Sequence, residues 1–156
     1  MPVDINFSYY TLHDFHSNPD IFYCLSNNAF SILNSNIRSL ASNFEDLNTM
    51  LSELYFPFSV IGLTETKIKV DQQPLLNTDL PGYSFFSQPT LSNAGGVGFY
   101  IKNDLNFTVI SKLSTSTADY EALWIEILNS HRLKLISSVA LYTGIPMVIW
   151  KAFLST

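Results

Sequence analysis

The sequence predicts a mixed α/β (α+β) sandwich, mostly β, that begins with a β-α-β unit. Two apolar runs of strand length, "FSILN" from Phe30 and "SVIGLTET" from Ser59, flank a segment with helical periodicity. Further along, short strand-like segments alternate with polar turns. With 47% hydrophobic and 14% aromatic residues in 156, the chain can form one folded domain with a core.

The predicted helix covers "SNFEDLNTMLSELYF". Ser42 and Glu45 have the spacing of a capping box at its start, and Pro57 follows its end. Its apolar residues recur at helical spacing and form one stripe: Phe44, Leu47, Met50, Leu51 and Leu54. Two continuously apolar strands joined by such a helix indicate a right-handed unit of parallel strands in a sheet covered on both faces.

The remaining strands are expected to be antiparallel. "PGYSFFS" follows a turn at Pro81-Gly82, and "GGVGFYIK" is expected to pair with "NFTVI" around Asn103-Asp104. "ALWIEIL" and "RLKLISSVAL" flank the polar turn "NSH" as a hairpin. In that hairpin Trp124 and Glu126 share one face, and Leu123, Ile125 and Ile127 share the other; Glu121, just before the strand, is expected at a solvated edge.

Charge and composition limit the function. A net charge of −5 and a pI near 4.9 provide no basic patch for wrapping nucleic acid, so any DNA contact must be local or metal-assisted. The single Cys24 and the absence of a signal-peptide pattern predict an intracellular protein, nuclear or cytoplasmic and not secreted. The uncharged stretch between Lys134 and Lys151 is short for a membrane span and contains Gly and Pro.

The chain is expected to divide into an irregular leader (1–28), a folded part (29–138) and an aberrant apolar tail (139–156). Asn34, Asn36 and Glu65 are predicted near the carboxyl ends of the two parallel strands, where ligands bind in such sheets. One carboxylate with nearby amides suits Mg²⁺, which binds few protein ligands and keeps several waters. From the pattern alone, ordinary strand-end and turn positions are the favoured interpretation.

Other candidate sites have simpler explanations. The glycines of "NAGGVGFY" lack the following Lys-Ser/Thr and helix of a phosphate loop, so they indicate a turn entering a strand. His13, His16 and His131 have no metal-ligand spacing and are expected in solvent-exposed turns. Cys24 belongs to no catalytic motif and is expected to be a small hydrophobic residue.

Five segments in order resemble the N-terminal endonuclease domain of LINE-type (non-LTR) retrotransposon polyproteins, in the endonuclease/exonuclease/phosphatase superfamily that includes apurinic endonucleases. They are "LNSNIRSL", "FSVIGLTETKIK", "LPGYSFF", "GGVGFYIK" and "YEALWIEI", and they cover roughly residues 31 to 138. The resemblance implies packed β-sheets flanked by helices and Mg²⁺-dependent nicking of DNA. It assigns catalytic positions to Asn34, Asn36 and Glu65, with Glu65 and Asn36 at the metal.

The family's later motifs, "YRHP", "GDFN"-like and "SDH"-like, are absent from this sequence. The segment "LYTGIPMVIWKAF", from Leu141 to Phe153, has neither strand nor helix periodicity. Read from the third base of the Tyr142 codon, its degenerate codons can encode Tyr-Arg-His-Pro-Asn-Gly-Asp-Leu-Glu-Ser/Gly-Phe, which contains the missing "YRHP". We therefore expect a shift of reading frame near Val139 to Tyr142.

The resemblance thus implies the remnant of a DNA-nicking endonuclease that binds Mg²⁺ weakly and lacks the groups that activate water. A truncated sheet is also expected to leave apolar surface and strand edges that promote aggregation or self-association. The alternative is a non-enzymatic interaction or membrane-associated protein that uses the apolar segment Leu133 to Leu154 as its contact surface.

Overall fold

The structure, a computed structural model, describes residues 10–18, 20, 30–71, 78–128, 133–142 and 145–154. Its helices are α1 (Leu12–Ser17) and α2 (Leu40–Leu54). Its strands are β1 (Ile32–Asn36), β2 (Val60–Thr64), β3 (Tyr83–Gln88), β4 (Val97–Lys102), β5 (Asn106–Val109), β6 (Thr115–Ser116), β7 (Tyr120–Leu128), β8 (Leu133–Tyr142) and β9 (Ile145–Leu154).

The strands form two sheets. The first has four strands in the order β1-β2-β4-β3, and the second has five, in the order β5-β7-β8-β9 with β6 also paired to β7. The pair β1 and β2 is parallel and is connected through α2, whereas β4 is antiparallel to both of its neighbours. The predicted α/β sandwich with an initial β-α-β unit and the β7–β8 hairpin are confirmed.

Sheet 1 is covered on both faces, as the continuously apolar β2 predicts, since every residue of that strand is buried. One face packs against α2: its residues Ile61, Leu63 and Tyr100 belong to one core cluster with the helix side chains Leu47 and Leu54. The other face packs against sheet 2, where buried side chains from both sheets form a second cluster: Val60, Val97, Phe99, Ile101, Leu123, Ile125 and Ile127. Because successive side chains of a strand point to opposite faces, sheet 1 contributes to two separate cores, one with α2 and one with sheet 2.

Helix α2 begins earlier than the capping-box prediction. The N-cap is Ser39, whose hydroxyl accepts a hydrogen bond from the Ser42 backbone N–H, and Ser42 lies inside the helix. The backbone departs from helical geometry at Asn43, whose side-chain amide donates to the Ile37 carbonyl oxygen at 2.9 Å. The apolar stripe is confirmed, because Leu47 and Leu54 are buried and the other three residues pack against the same core.

The expected pairing of β4 with β5 is wrong. Both edges of β4 already carry hydrogen-bonded neighbours, β2 and β3, so no edge remains for another strand. The turn at Asn103-Asp104 instead takes the chain into sheet 2, where β5 pairs with β7 and Phe107 lies opposite Ile127. Packing of Phe107 against Phe86 of sheet 1, at a ring-centroid distance of 5.2 Å, joins the two sheets at this crossing.

Two segments outside the predicted central part contain regular structure. Helix α1 lies within the expected leader, and its Phe15 packs edge-on against Phe56 at 5.5 Å. Within the expected tail, β9 pairs antiparallel with β8 from Tyr142 and Ile145 outward. The shift of reading frame concerns the encoding DNA and stays a prediction. The predictions for Cys24 and His131 fall on residues outside those that the structure describes.

Within the described ranges, no helix is both long enough and apolar enough to cross a membrane.

Candidate functional site

The carboxyl ends of β1 and β2 lie side by side at one edge of sheet 1. The parallel register places Asn36 opposite Thr64, and just beyond it the Ile37 backbone N–H donates to the Thr64 carbonyl oxygen at 3.0 Å. The Leu40 N–H donates to the carbonyl oxygen of Thr66 at 2.9 Å. These bonds hold the loops after the two strands together, so Asn36 and Glu65 belong to one edge, as ligand sites of such sheets require.

Of the two predicted asparagines, Asn36 is the one at the strand end. The sequence pattern ends the first strand at Asn34, but the parallel ladder continues for two further residues and leaves Asn34 opposite Gly62 within the strand. Hydrogen bonding to buried β2 outweighs the low strand propensity of Asn and Ser here. Both asparagine side chains are exposed, and the Asn36 side-chain oxygen accepts a bond from the Arg38 backbone N–H at 3.2 Å.

Glu65 occupies a backbone conformation that favours glycine. Its φ is +53°, and Lys67 has a φ of +55°. Such a conformation costs about 1–2 kcal/mol for a residue with a β-carbon and persists where the surroundings fix it. The surroundings are two backbone bonds: Thr66 N–H donates to the Gly96 carbonyl oxygen at 3.1 Å and Lys67 N–H to that of Gly95 at 2.8 Å. Glu65, which is partly exposed, is thereby fixed at the edge.

The Gly95-Gly96 turn enters β4, as predicted for these glycines, and it also packs closely against the site. Both residues have positive φ, +89° and +83°. A β-carbon on Gly96 would lie 2.5 Å from Thr66 Oγ1, and one on Gly95 would lie 2.8 Å from Glu121 Oε2. Glycine at both positions therefore lets the loop after β2 and the start of β7 approach the same turn.

Glu121 lies against the same turn, and its environment differs from the one that the sequence analysis predicted. It was expected at a solvated edge, but its side chain is only 6% exposed. Its position in β7 has the same parity as the buried Leu123 and Ile125, so it lies on the strand face that packs against sheet 1. The period of two that separates the two faces of this strand is the signal that predicts its burial.

The loops at this edge carry three cationic side chains although the chain is acidic. Arg38 follows β1, and Lys67 and Lys69 follow β2; all three side chains are exposed. Lys69 Nζ donates to the side-chain oxygen of Asn93 at 2.9 Å, which connects this loop to the one before β4. Together with the carboxylate of Glu65, the edge has the mixture of cationic groups and one or two carboxylates that a phosphate ester and its metal ion require.

The donor set fits a hard cation in chemical type. Asn36 and Glu65 supply oxygen atoms at or near the protein surface, and Mg²⁺ needs only one or two protein carboxylates. Among the described residues there is no group of three or more His, Cys, Asp or Glu side chains that could hold a metal ion. His13 and His16 are exposed, as expected, but they lie in helix α1 and not in turns.

Comparisons with known proteins give a partial likeness. No protein-family model matches the chain, and no curated protein matches it. The crystal structure of the AP endonuclease LMAP from Leishmania major is similar over 63% of this chain and 35% of its own, with 22% identity and a TM-score of 0.49. A humanized D. rerio TDP2 is similar over 81% and 51%, with 15% identity and a TM-score of 0.35. The chain thus spans at most about half the length of these two structures.

Proposed function

We propose that the chain is the amino-terminal part of a LINE-type retrotransposon endonuclease, a Mg²⁺-dependent enzyme that nicks DNA, and that the 156-residue polypeptide by itself does not nick DNA appreciably. The observation that carries this proposal is the parallel pairing of β1 with β2. It joins Asn36 and Glu65, the residues that the sequence resemblance assigns to metal binding, at one loop edge.

The basic loops support a phosphodiester substrate. Arg38, Lys67 and Lys69 are three of the chain's 8 Lys and Arg residues, and they lie in the loops that also contain or adjoin Glu65. Phosphate contacts are made chiefly by such side chains, and a local cluster can bind a short stretch of backbone although the whole protein is acidic.

In this proposal Glu65 and Asn36 hold the cation. When bound, Mg²⁺ neutralises charge on the phosphate oxygens and polarises the phosphorus centre. The hydrogen bond from the Arg38 N–H orients the Asn36 side-chain oxygen, and the fixed backbone at Glu65 limits the positions its carboxylate reaches. Both features hold the ligand side chains in position before a substrate binds. A site with few ligands depends on such positioning for its geometry.

The proposed lack of activity follows from groups that the sequence does not contain. Nicking requires a base or oriented polar group for the attacking water and an acid for the leaving oxygen, and each contributes roughly 10²–10⁴-fold in rate. The "GDFN"-like and "SDH"-like motifs to which the resemblance assigns these roles are absent from the 156 residues. With both groups missing, the expected loss is the product of two such factors.

The test compares this polypeptide with a longer one translated in the shifted frame from the encoding DNA, using relaxation of supercoiled plasmid in Mg²⁺. We expect no nicking above buffer by the 156-residue chain, and nicking by the extended chain that Glu65→Gln removes. Glu53→Gln, on the exposed face of α2, is the matched control and should leave the rate unchanged.

Two outcomes would contradict the proposal in different ways. Metal-dependent nicking by the 156-residue chain, lost in Glu65→Gln, would show that the absent motifs are not needed. A shifted frame that closes at once, without nuclease motifs downstream, would remove the retrotransposon assignment itself.

A further inference from the structure

Glu121 presents a physical problem that the proposed function leaves unanswered. The residue is only 6% exposed, and its carboxylate oxygens, which keep some access to solvent, form no hydrogen bond or ion pair with any described residue. The ion pair found in the described part of the chain joins Lys102 to Asp104 and does not involve this residue. A carboxylate with so little access to water is ordinarily paired with a cation or bound to a metal, since desolvating a charge is costly.

A fully buried polar atom lies at the same turn. Thr66 Oγ1 is buried and has no hydrogen-bond partner in the described structure, and the residue is 1% exposed. This hydroxyl lies against Gly96, while the carboxylate of Glu121 lies against the adjacent Gly95. Two polar groups without a partner among the described residues, one in the loop after β2 and one in β7, therefore meet the same pair of glycines. A buried hydroxyl without a partner is uncommon enough to require an explanation.

Glu65 lies in the same short segment. It directly precedes Thr66, whose backbone N–H bonds to Gly96, and its carboxylate likewise has no hydrogen bond or ion pair with the described residues. The unpaired groups are all oxygen atoms: two carboxylates and one hydroxyl. Hard divalent cations select oxygen ligands, and one or two carboxylates are enough when water completes the coordination.

We propose that Glu121 is a metal-binding residue, which binds one divalent cation together with Glu65 beside the Gly95-Gly96 turn, with Thr66 Oγ1 near the cation or its bound water. This inference rests on the proposed function for the participation of Glu65. It adds a ligand from sheet 2 to a site otherwise built from sheet 1, so the cation links the two sheets.

The test uses Mn²⁺ alone as the probe, because it accepts the same oxygen ligands and its free form is measured directly by electron paramagnetic resonance. Binding to the 156-residue chain is compared with binding to Glu121→Gln, Glu65→Gln and Glu126→Gln. Glu126 lies on the opposite face of the same strand and serves as the matched control. We expect the first two substitutions to weaken Mn²⁺ binding about tenfold or more and the control to leave it unchanged.

A thermal melt in EDTA separates metal binding from folding. Glu121→Gln keeps the shape of the side chain and removes its charge, so the metal-free protein should melt at a higher temperature while losing the Mn²⁺-induced rise seen in the wild type. Unchanged Mn²⁺ affinity in Glu121→Gln, with weakened binding in Glu65→Gln, would overturn this inference and leave the proposed function standing. Absence of Mn²⁺ binding by the wild type would overturn this inference and the metal-binding part of the proposed function together.

Discussion

Gly95 lies directly against the carboxylate of Glu121: a β-carbon built on Gly95 would lie 2.8 Å from Oε2 and 2.9 Å from Oε1. The same glycine has a φ of +89°, and its carbonyl oxygen accepts the Lys67 N–H. One small residue thus contacts both the loop after β2 of sheet 1 and the start of strand β7 of sheet 2. A β-carbon at this position has to displace the carboxylate of Glu121.

Gly95→Ala is therefore expected to destabilise the fold by about 1–3 kcal/mol, because the strained φ and the contact with Glu121 add. The matched control is Gly82→Ala: Gly82 has a similar φ, +84°, but a β-carbon added there would meet no heavy atom within 4 Å. It should lose only about 1–2 kcal/mol, the cost of the left-handed backbone. Urea unfolding followed by circular dichroism measures both; equal losses would show that the contact with Glu121 is unimportant.

The helix stripe gives a prediction about the core between α2 and sheet 1. Leu47 is 2% exposed within that core, so Leu47→Ala should lower the free energy of unfolding by about 2–5 kcal/mol. Leu113, which is 51% exposed, is the control, and its replacement by Ala should change stability by less than about 0.5 kcal/mol. The same urea measurement decides, and a small loss for Leu47→Ala would mean that α2 is not packed against sheet 1 in solution.

The parts of the fold that could be predicted are those whose pattern is local. The stripe from Phe44 to Leu54 and the continuous burial of β2 follow from helical spacing and from apolar runs, and both are observed. The partner of β5 could not be predicted from adjacent strands and a polar turn, because it depends on β4 already having two neighbours. Pairing is a property of the whole sheet, and short-range signals do not contain it.

In the candidate site, too, local patterns predicted some features and others depended on long-range packing. Asn36 and Glu65 could be placed near each other from the β-α-β pattern, since parallel strands end at the same edge. The close approach of Glu121 to Gly95 could not, because it depends on how sheet 2 packs on sheet 1. Only the burial of Glu121 was available in the sequence, through its period-two relation to Leu123 and Ile125.

One buried and one partly buried tyrosine, Tyr100 and Tyr83, predict loss of stability at high pH. Burial raises the pKa of Tyr100, whose hydroxyl donates to the Thr78 carbonyl oxygen at 2.8 Å, and burial together with Asp104 raises the pKa of Tyr83. Below the ordinary tyrosine value of 10.0 both the folded and unfolded forms are protonated, so this contribution is fully present. Above it the unfolded chain releases its protons first, and the free energy of unfolding falls as pH rises.

Chemical unfolding measured at several pH values on both sides of 10.0 tests this expectation. Tyr100→Phe should lower stability at neutral pH by about 1 kcal/mol through the lost hydrogen bond, yet decline less steeply in alkali. Tyr55→Phe is the control, since Tyr55 is 86% exposed and should follow the wild type throughout. If Tyr100→Phe does not change how steeply the free energy of unfolding falls above pH 10.0, then a group other than Tyr100 causes that fall.

The basic loops at the β1–β2 edge predict local, salt-sensitive binding of DNA. Lys67→Gln should weaken the affinity for a short duplex and reduce the slope of log affinity against log salt by about 1, the loss of one phosphate contact. Lys102→Gln removes the same charge at the other end of β4, where the lysine pairs with Asp104 at 3.0 Å, and should leave both quantities unchanged. Fluorescence anisotropy with a labelled duplex, over a series of salt concentrations, measures the affinity and the slope together. Equal effects of the two substitutions would mean that DNA binding depends on net charge alone, and would contradict the proposal that this edge binds phosphate.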